Sequence, residues 1–257
     1  MNLIDINSDI GEGFGRWTLG DDDQILAHIT SANIACGIHA GDPLIMDHTV
    51  ETCKRRSVSV GAHPGFPDIQ GFGRRNMSMS PKEIESYVLY QVGALDAFAQ
   101  SKGVSLTHVK PHGALYNMAA VDLDVALSIA RGIARAGRDL IMVGLAGSLM
   151  LDAAKQVGIP GASEGFADRS YNPDGTLAPR GTQGAVIEDT DEIARRAVQM
   201  VKDKVVLTPN GHYIQLQVDT ICIHGDTPGA ACIAKTVMER LIENGCKVVP
   251  LCQMVGR

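Results

Sequence analysis

The chain lacks the marks of three large classes of protein. No stretch approaches eighteen uninterrupted apolar residues, so no segment reads as a transmembrane helix. Basic residues do not dominate: 23 Lys and Arg face 29 Asp and Glu, for a formal charge of −6, with the signs intermixed. A nucleic acid or an anionic membrane surface calls for a basic stripe, and none is visible. The six cysteines (Cys36, Cys53, Cys222, Cys232, Cys246, Cys252) include no C-x-x-C pair, and several sit inside apolar runs. Buried free thiols in a reducing cytosol explain them better than zinc fingers or disulfides. The opening stretch MNLIDINSDIGEG carries Asp5 and Asp9 where a secretory leader needs basic residues, which adds to the expectation of a cytoplasmic location.

Several local signatures are missing as well. Neither the phosphate loop G-x-x-x-x-G-K-[ST] nor the nucleophile elbow G-x-S-x-G occurs. Glycines 11, 13 and 15 of SDIGEGFGRW do not spell a dinucleotide fingerprint. No linker rich in Pro, Gly or Ser divides the chain, and no solenoid period runs through it. One domain over residues 1–257 is therefore expected, with 45% apolar residues to fill its core.

What is present is alternation. Short apolar runs rich in β-branched residues occur at 3–7 (LIDIN), 33–37 (NIACG), 58–62 (VSVGA), 107–110 (THVK), 140–144 (LIMVG), 159–163 (IPGAS) and 220–224 (TICIH), with 247–251 (KVVPL) as a candidate closing strand. They read as continuous apolar segments, as expected of strands buried on both faces. Helical segments separate them, and several announce their ends. Ser80, Pro81 and Glu83 form a capping box, Asp42 and Pro43 open the helix after the second strand, and Thr227 and Pro228 open the last one. Residues 205–218 break the rhythm and read as a hairpin about a Pro-Asn-Gly turn. Strand–helix alternation seven or eight times over this length points to an α/β fold, a closed parallel (β/α) barrel ahead of an open doubly wound sheet.

Ionisable residues follow almost every strand candidate. Asp9 and Glu12 follow the first, His39 and Asp42 the second, and His63 and Asp68 the third; Lys110 and His112 close the fourth. Glu164, Asp168 and Arg169 come after the sixth, with Arg180 further on, and His224 and Asp226 complete the last. In a barrel these positions all lie at the carboxyl rim, where loops build a single site. Asp42 also reads as a helix cap, and Asp68 equally as a turn former. Lys110, at the end of an apolar run, suits anion binding, or acid–base work if burial lowers its pKa. Arg169 and Arg180 suggest a clamp for a carboxylate or phosphate. Asp9, His39 and His63 offer oxygen and nitrogen donors suited to zinc or a similar ion, although no H-x-x-x-H helix accompanies them.

At these same segments the chain resembles a known family. NSDIGEGFG, NIACGIHAGD, GAHPGFPD, HVKPHGALYN, EGFADRSY with LAPRG, and CIHGD run in the order found in the lactam-utilisation (LamB/YcsF) family, and the likeness covers nearly the whole chain. The resemblance implies a distorted seven-stranded barrel like that of sugar deacetylases and some glycosidases. It also implies cleavage of 5-oxo-L-proline to L-glutamate coupled to hydrolysis of ATP, with Mg2+, in a complex with subunits B and C. On that reading Asp9 or Glu12 acts as base towards water, and His39, His63 and His112 manage protons or bind metal. Lys110 and Arg169 hold phosphate or the substrate carboxylate, Asp42, Glu164 and Arg180 support that binding, and His224 and Asp226 close the rim. Two other readings share these residues: a metal-dependent amide hydrolase or deacetylase acting alone, and a non-catalytic lactam-binding subunit.

Overall fold

The computed structural model describes residues 2–225 and 227–255. Among them ten strands run in chain order: β1 (Leu3–Ile10), β2 (Ser31–Ala35), β3 (Ser59–His63), β4 (Leu106–Val109), β5 (Ile141–Leu145), β6 (Gly161–Phe166), β7 (Val205–Leu207), β8 (Tyr213–Gln215), β9 (Thr220–Cys222) and β10 (Lys247–Val248). Seven of them, β1 to β6 and β9, pair in parallel around a ring that β9 closes onto β1 through Asp5↔Thr220 and Asn7↔Cys222. The expected barrel is therefore present. The segment 247–251 does not close it: β10 pairs only with Leu3 and Ile4 on the outside of the ring. Beyond it, Leu251 packs against Ile141, Val143 and Ala162. The β7–β8 pair is an antiparallel excursion outside the ring.

Among the described residues eight α-helices accompany the strands: α1 (Asp22–Ile25), α2 (Pro43–Arg56), α3 (Pro81–Ser101), α4 (Gly113–Val121), α5 (Leu123–Ala136), α6 (Leu149–Val157), α7 (Thr190–Lys202) and α8 (Ala230–Glu243). The reasons for their boundaries are local. Asp42 accepts from Leu44 and Ile45 N–H ahead of Pro43, and Ser80 with Glu83 makes the full capping box of α3. Thr227 does not cap α8. Its carbonyl accepts from Ala230 N–H in a separate turn, and Gly229, at φ 79°, makes the left-handed step that starts the helix two residues later than expected. Helices α3, α5 and α6 pack in sequence along one side, and α7 on α8 along another. Among the described residues no single helix is long and apolar enough to cross a membrane; α4 and α5 pass that test only as a pair bent by 120°.

The strands differ from the continuous apolar runs expected. In β1, Ile4, Ile6 and Ile10 alternate with Asp5, Asn7 and Asp9. With a side-chain period of two, one set faces the helices and joins the apolar core, and the other faces the barrel axis. Asn7 Nδ2 donates to Glu164 Oε1 on β6 at 3.0 Å, a contact between non-adjacent strands that only the interior permits. Ser31, Asn33, His108, Thr220 and Cys222 fill the same polar interior, all buried. At Gly61 of β3 a Cβ would stand 2.2 Å from His108 Nε2, so the absent side chain is what admits the imidazole. Of the six free cysteines, Cys36, Cys53, Cys222 and Cys246 are buried, as expected, whereas Cys232 and Cys252 are exposed.

Candidate active site

The polar interior culminates at Lys110, one residue past β4. Its Nζ lies 2.8 Å from Glu164 Oε1 and 3.0 Å from Asp9 Oδ1, and it donates to Asn7 Oδ1 at 3.3 Å and to Cys222 Sγ at 3.0 Å. The second Glu164 oxygen accepts from Tyr116 OH at 2.7 Å. Burial alone would pull the lysine pKa down, but the Asp9 and Glu164 charges outweigh it and hold the ammonium well above its usual range. Lys110 is thus a fixed cation; the alternative of a lysine with lowered pKa does not hold. Asp9 shows the converse: His63 and Lys110 overcome its desolvation and keep its carboxyl well below the ordinary value. A chain of amides and imidazole aims that carboxylate. His108 Nε2–H donates to Asn33 Oδ1 at 2.9 Å, and Asn33 Nδ2 donates to Asp9 Oδ1 at 2.9 Å and to Asn7 Oδ1 at 2.7 Å.

Beside this network stands a group of three histidines and a glutamate. Glu12 Oε1 is 3.2 Å from His112 Nδ1, 3.3 Å from His39 Nε2 and 3.8 Å from His63 Nε2. The His39 and His112 rings stack at 3.8 Å, almost parallel. Two backbone carbonyls orient the group, since a carbonyl can only accept: His63 Nδ1–H donates to Lys110 O at 2.7 Å, and His112 Nε2–H to Phe72 O at 2.8 Å. Phe72 presents that carbonyl from a positive φ of 54°, a strained conformation for a non-glycine residue. His112 occupies the N-cap position of α4 yet makes no side-chain cap bond, which leaves its ring to the site. Burial and the neighbouring His112 push the His39 pKa down to about 3.

A cavity of about 480 Å³ opens over both groups at the carboxyl end of the barrel. Asp9, His63, Lys110, His112, Arg169, Arg180 and His224 line it, together with the aromatic rings of Tyr116 and Phe166. His224 Nδ1 meets Asp168 Oδ2 at 2.6 Å, a pairing that fixes the imidazole and leaves its other nitrogen for the cavity. The Arg169 guanidinium donates to the carbonyls of Ala185 (3.2 Å) and Ala178 (2.6 Å) and so ties down the loop that carries Arg180, itself exposed.

The barrel therefore brings together seven of the expected site residues around one cavity. Glu12 and His39 lie behind it, in contact with His63 and His112. Three expectations change. Asp9 and Glu164 belong to strands β1 and β6 and not to the loops after them. Glu164 is fully buried, with both oxygens engaged by Lys110, Asn7 and Tyr116, so it is the lysine's counter-ion and does not reach the cavity. Asp42 stands apart from the cavity: one oxygen caps α2 and the other accepts from Gly15 N–H at 2.7 Å. Asp226 lies outside the described residues. Sequence reasoning misses Asn7, Asn33, His108 and Tyr116, and leaves Asp168 without a role. The two-residue alternation in LIDINSD is the signal that could have revealed the polar interior and, with it, most of these groups.

The profile of the LamB/YcsF family matches residues 4–256. A Pyrococcus furiosus protein, named as the A subunit of 5-oxoprolinase, is 54% identical over 248 residues, which cover 96% of this chain and 97% of that one. The protein of the same name from Pyrococcus abyssi is 53% identical, with 98% and 99% covered. The crystal structure of a lactam utilization protein from Thermus thermophilus superposes with a TM-score of 0.92 at 42% identity, covering 96% of this chain and 99% of its own.

Proposed function

The chain belongs to the LamB/YcsF family, and from that membership we propose that it is the A subunit of a 5-oxoprolinase. It opens the five-membered lactam of 5-oxo-L-proline to L-glutamate with the hydrolysis of ATP, bound with Mg2+, to ADP and phosphate. Subunits B and C are its partners, and the cytoplasm, where ATP and free thiols coexist, is its place. The observation that carries this reading is the single cavity lined by Asp9, Lys110, His63, His112 and His224 with two arginines at its wall.

The chemistry suits those groups. A lactam is a resonance-stabilised amide, and its oxygen must be activated before water can attack the carbonyl carbon. Transfer of the γ-phosphoryl group to that oxygen gives an imidate-like ester; one water adds to the carbon, the C–N bond breaks as the ring nitrogen takes up a proton, and a second water hydrolyses the acyl phosphate that remains to carboxylate and phosphate. Arg169 and Arg180 supply positive charge for the phosphate or the substrate carboxylate. Lys110, a permanent cation, steadies negative charge developing at the carbonyl oxygen. Asp9 is the acceptor for the proton of the attacking water, in preference to Glu12, which does not reach the cavity. His224, oriented by Asp168, handles the proton for the ring nitrogen. Mixing the full chain with subunits B and C and following glutamate release from 5-oxoproline, with and without ATP, tests the reading. Release that requires both ATP and this chain is expected. Release from the isolated chain without ATP would instead select the stand-alone hydrolase, a reading favoured by the histidine cluster.

A further inference from the structure

We propose that Glu12, His39, His63 and His112 form a binding site for one divalent metal ion of the zinc class, held at the floor of the cavity. The set differs from the Asp9, His39 and His63 considered from the sequence. Its first warrant is distance. A tetrahedral ion with ligands at about 2.1 Å keeps them roughly 3.4 Å apart. Glu12 Oε1 stands 3.2, 3.3 and 3.8 Å from the three imidazole nitrogens, and His63 Nε2 and His112 Nδ1 are 2.9 Å apart. All four donors are buried.

The second warrant is the fixed orientation of two rings. His63 gives its Nδ1 proton to the Lys110 carbonyl and His112 its Nε2 proton to the Phe72 carbonyl. In their neutral forms, imidazoles so anchored would point bare lone pairs at one another and at the Glu12 carboxylate. Three electron-rich atoms in close contact need a cation between them. Outer N–H groups held by backbone carbonyls are also the usual support of metal-ligating histidines. His39 Nδ1 is buried and makes no hydrogen bond, so with Nε2 turned from its bond to Glu12 onto the ion, the proton moves to Nδ1. Three nitrogens and one carboxylate oxygen match the preferences of zinc and its neighbours and not those of magnesium or calcium.

The third warrant is access. His63 and His112 border the cavity while Glu12 and His39 close the site from behind, so the ion is reached from the substrate side. Asp9 stays beside it, 3.5 Å from His63 Nε2, with its other oxygen taken by Lys110 and Asn33. The competing occupant is a proton shared between His63 and His112.

Metal uptake decides between the two, and the readout does not depend on the substrate reading. The full chain is stripped with a chelator, titrated with Zn2+ by calorimetry and, after gel filtration, analysed for bound metal; Co2+ serves as a spectroscopic probe. One equivalent per chain is expected, with a visible Co2+ band of four-coordinate intensity. His112→Ala and the near-isosteric Glu12→Gln should each weaken Zn2+ binding by at least about tenfold, while Asp42→Ala binds as the parent does. Should His112→Ala fail to fold, Glu12→Gln decides alone. Absence of stoichiometric Zn2+ in the parent, or undiminished uptake in the folded variants, overturns the metal and leaves the shared proton.

Discussion

The two halves of the site solve the same electrostatic problem in opposite ways. Around Lys110 the protein supplies its own cation: two carboxylates, an amide oxygen and a thiol converge on one ammonium group. Around Glu12 the convergent atoms are nearly all acceptors, and their orientation is fixed from outside by carbonyls. The first half is complete as folded and explains why Lys110 stays charged. The second is arranged for something to enter it. Asp9 belongs to both, one oxygen on Lys110 and the other facing His63. That shared carboxylate is where fixed charge and exchangeable chemistry meet.

The sharpest way to break this contrast is to remove the fixed cation. Lys110→Met leaves the Asp9 and Glu164 carboxylates buried beside one another, and an unpaired buried charge costs about 3–5 kcal/mol. Denaturant midpoints should fall accordingly, and glutamate formation by the assembled enzyme should disappear. A variant as stable as the parent would show that the lysine is not what neutralises that pocket. A smaller effect is expected from cutting the link between interior and site. Asn33→Ala strands the His108 donor and frees Asp9, for a loss of about 1–3 kcal/mol. Its cost and that of Lys110→Met should not add in the double variant, because both act through Asp9.

The smallest expected effect concerns the deep end of the barrel. Burial raises the Asp5 pKa from 3.8 to about 6, against hydrogen bonds from Ser31, Thr220 and Thr30. The folded state therefore favours the protonated acid. Its contribution to stability is fully present below the unfolded value of 3.8 and is lost as pH rises through about 6. Relative to the parent, Asp5→Asn should gain in melting temperature between pH 4 and 7. A constant difference across that range would mean that the raised pKa is not expressed in stability.

Much of the barrel is legible in the chain because its strands carry buried β-branched residues and its helices carry explicit caps. Asp42 and Pro43, or Ser80, Pro81 and Glu83, are local instructions, and the fold obeys them. The rim residues are legible for a topological reason: every parallel strand delivers the residues after it to the same end. Depth is what escapes. Nothing in EGFAD distinguishes Glu164, sealed under Lys110, from Asp168, which orients a histidine at the cavity. Asn33 and His108 look like interruptions of apolar strands until the opposite wall of the barrel is known. Pairing across a barrel axis depends on register between strands far apart in sequence, and composition carries no record of it. Thr227 misleads for a simpler reason: the cap residue type is present, but Gly229 begins the helix later.

On the proposed function, the lactam is opened in the cavity between these two halves. His224 tests this best, because it borders the cavity, is held by its hydrogen bond to Asp168 and by stacking on Phe166, and supplies none of the hydrogen bonds that hold Lys110 or the histidine cluster. The measurement is the turnover rate of glutamate formation from 5-oxoproline and ATP by the complex assembled with His224→Ala. A loss of about 100-fold or more in kcat is expected, with assembly intact and with Asp42→Ala close to the parent. Unchanged turnover in a correctly assembled His224→Ala complex would contradict it.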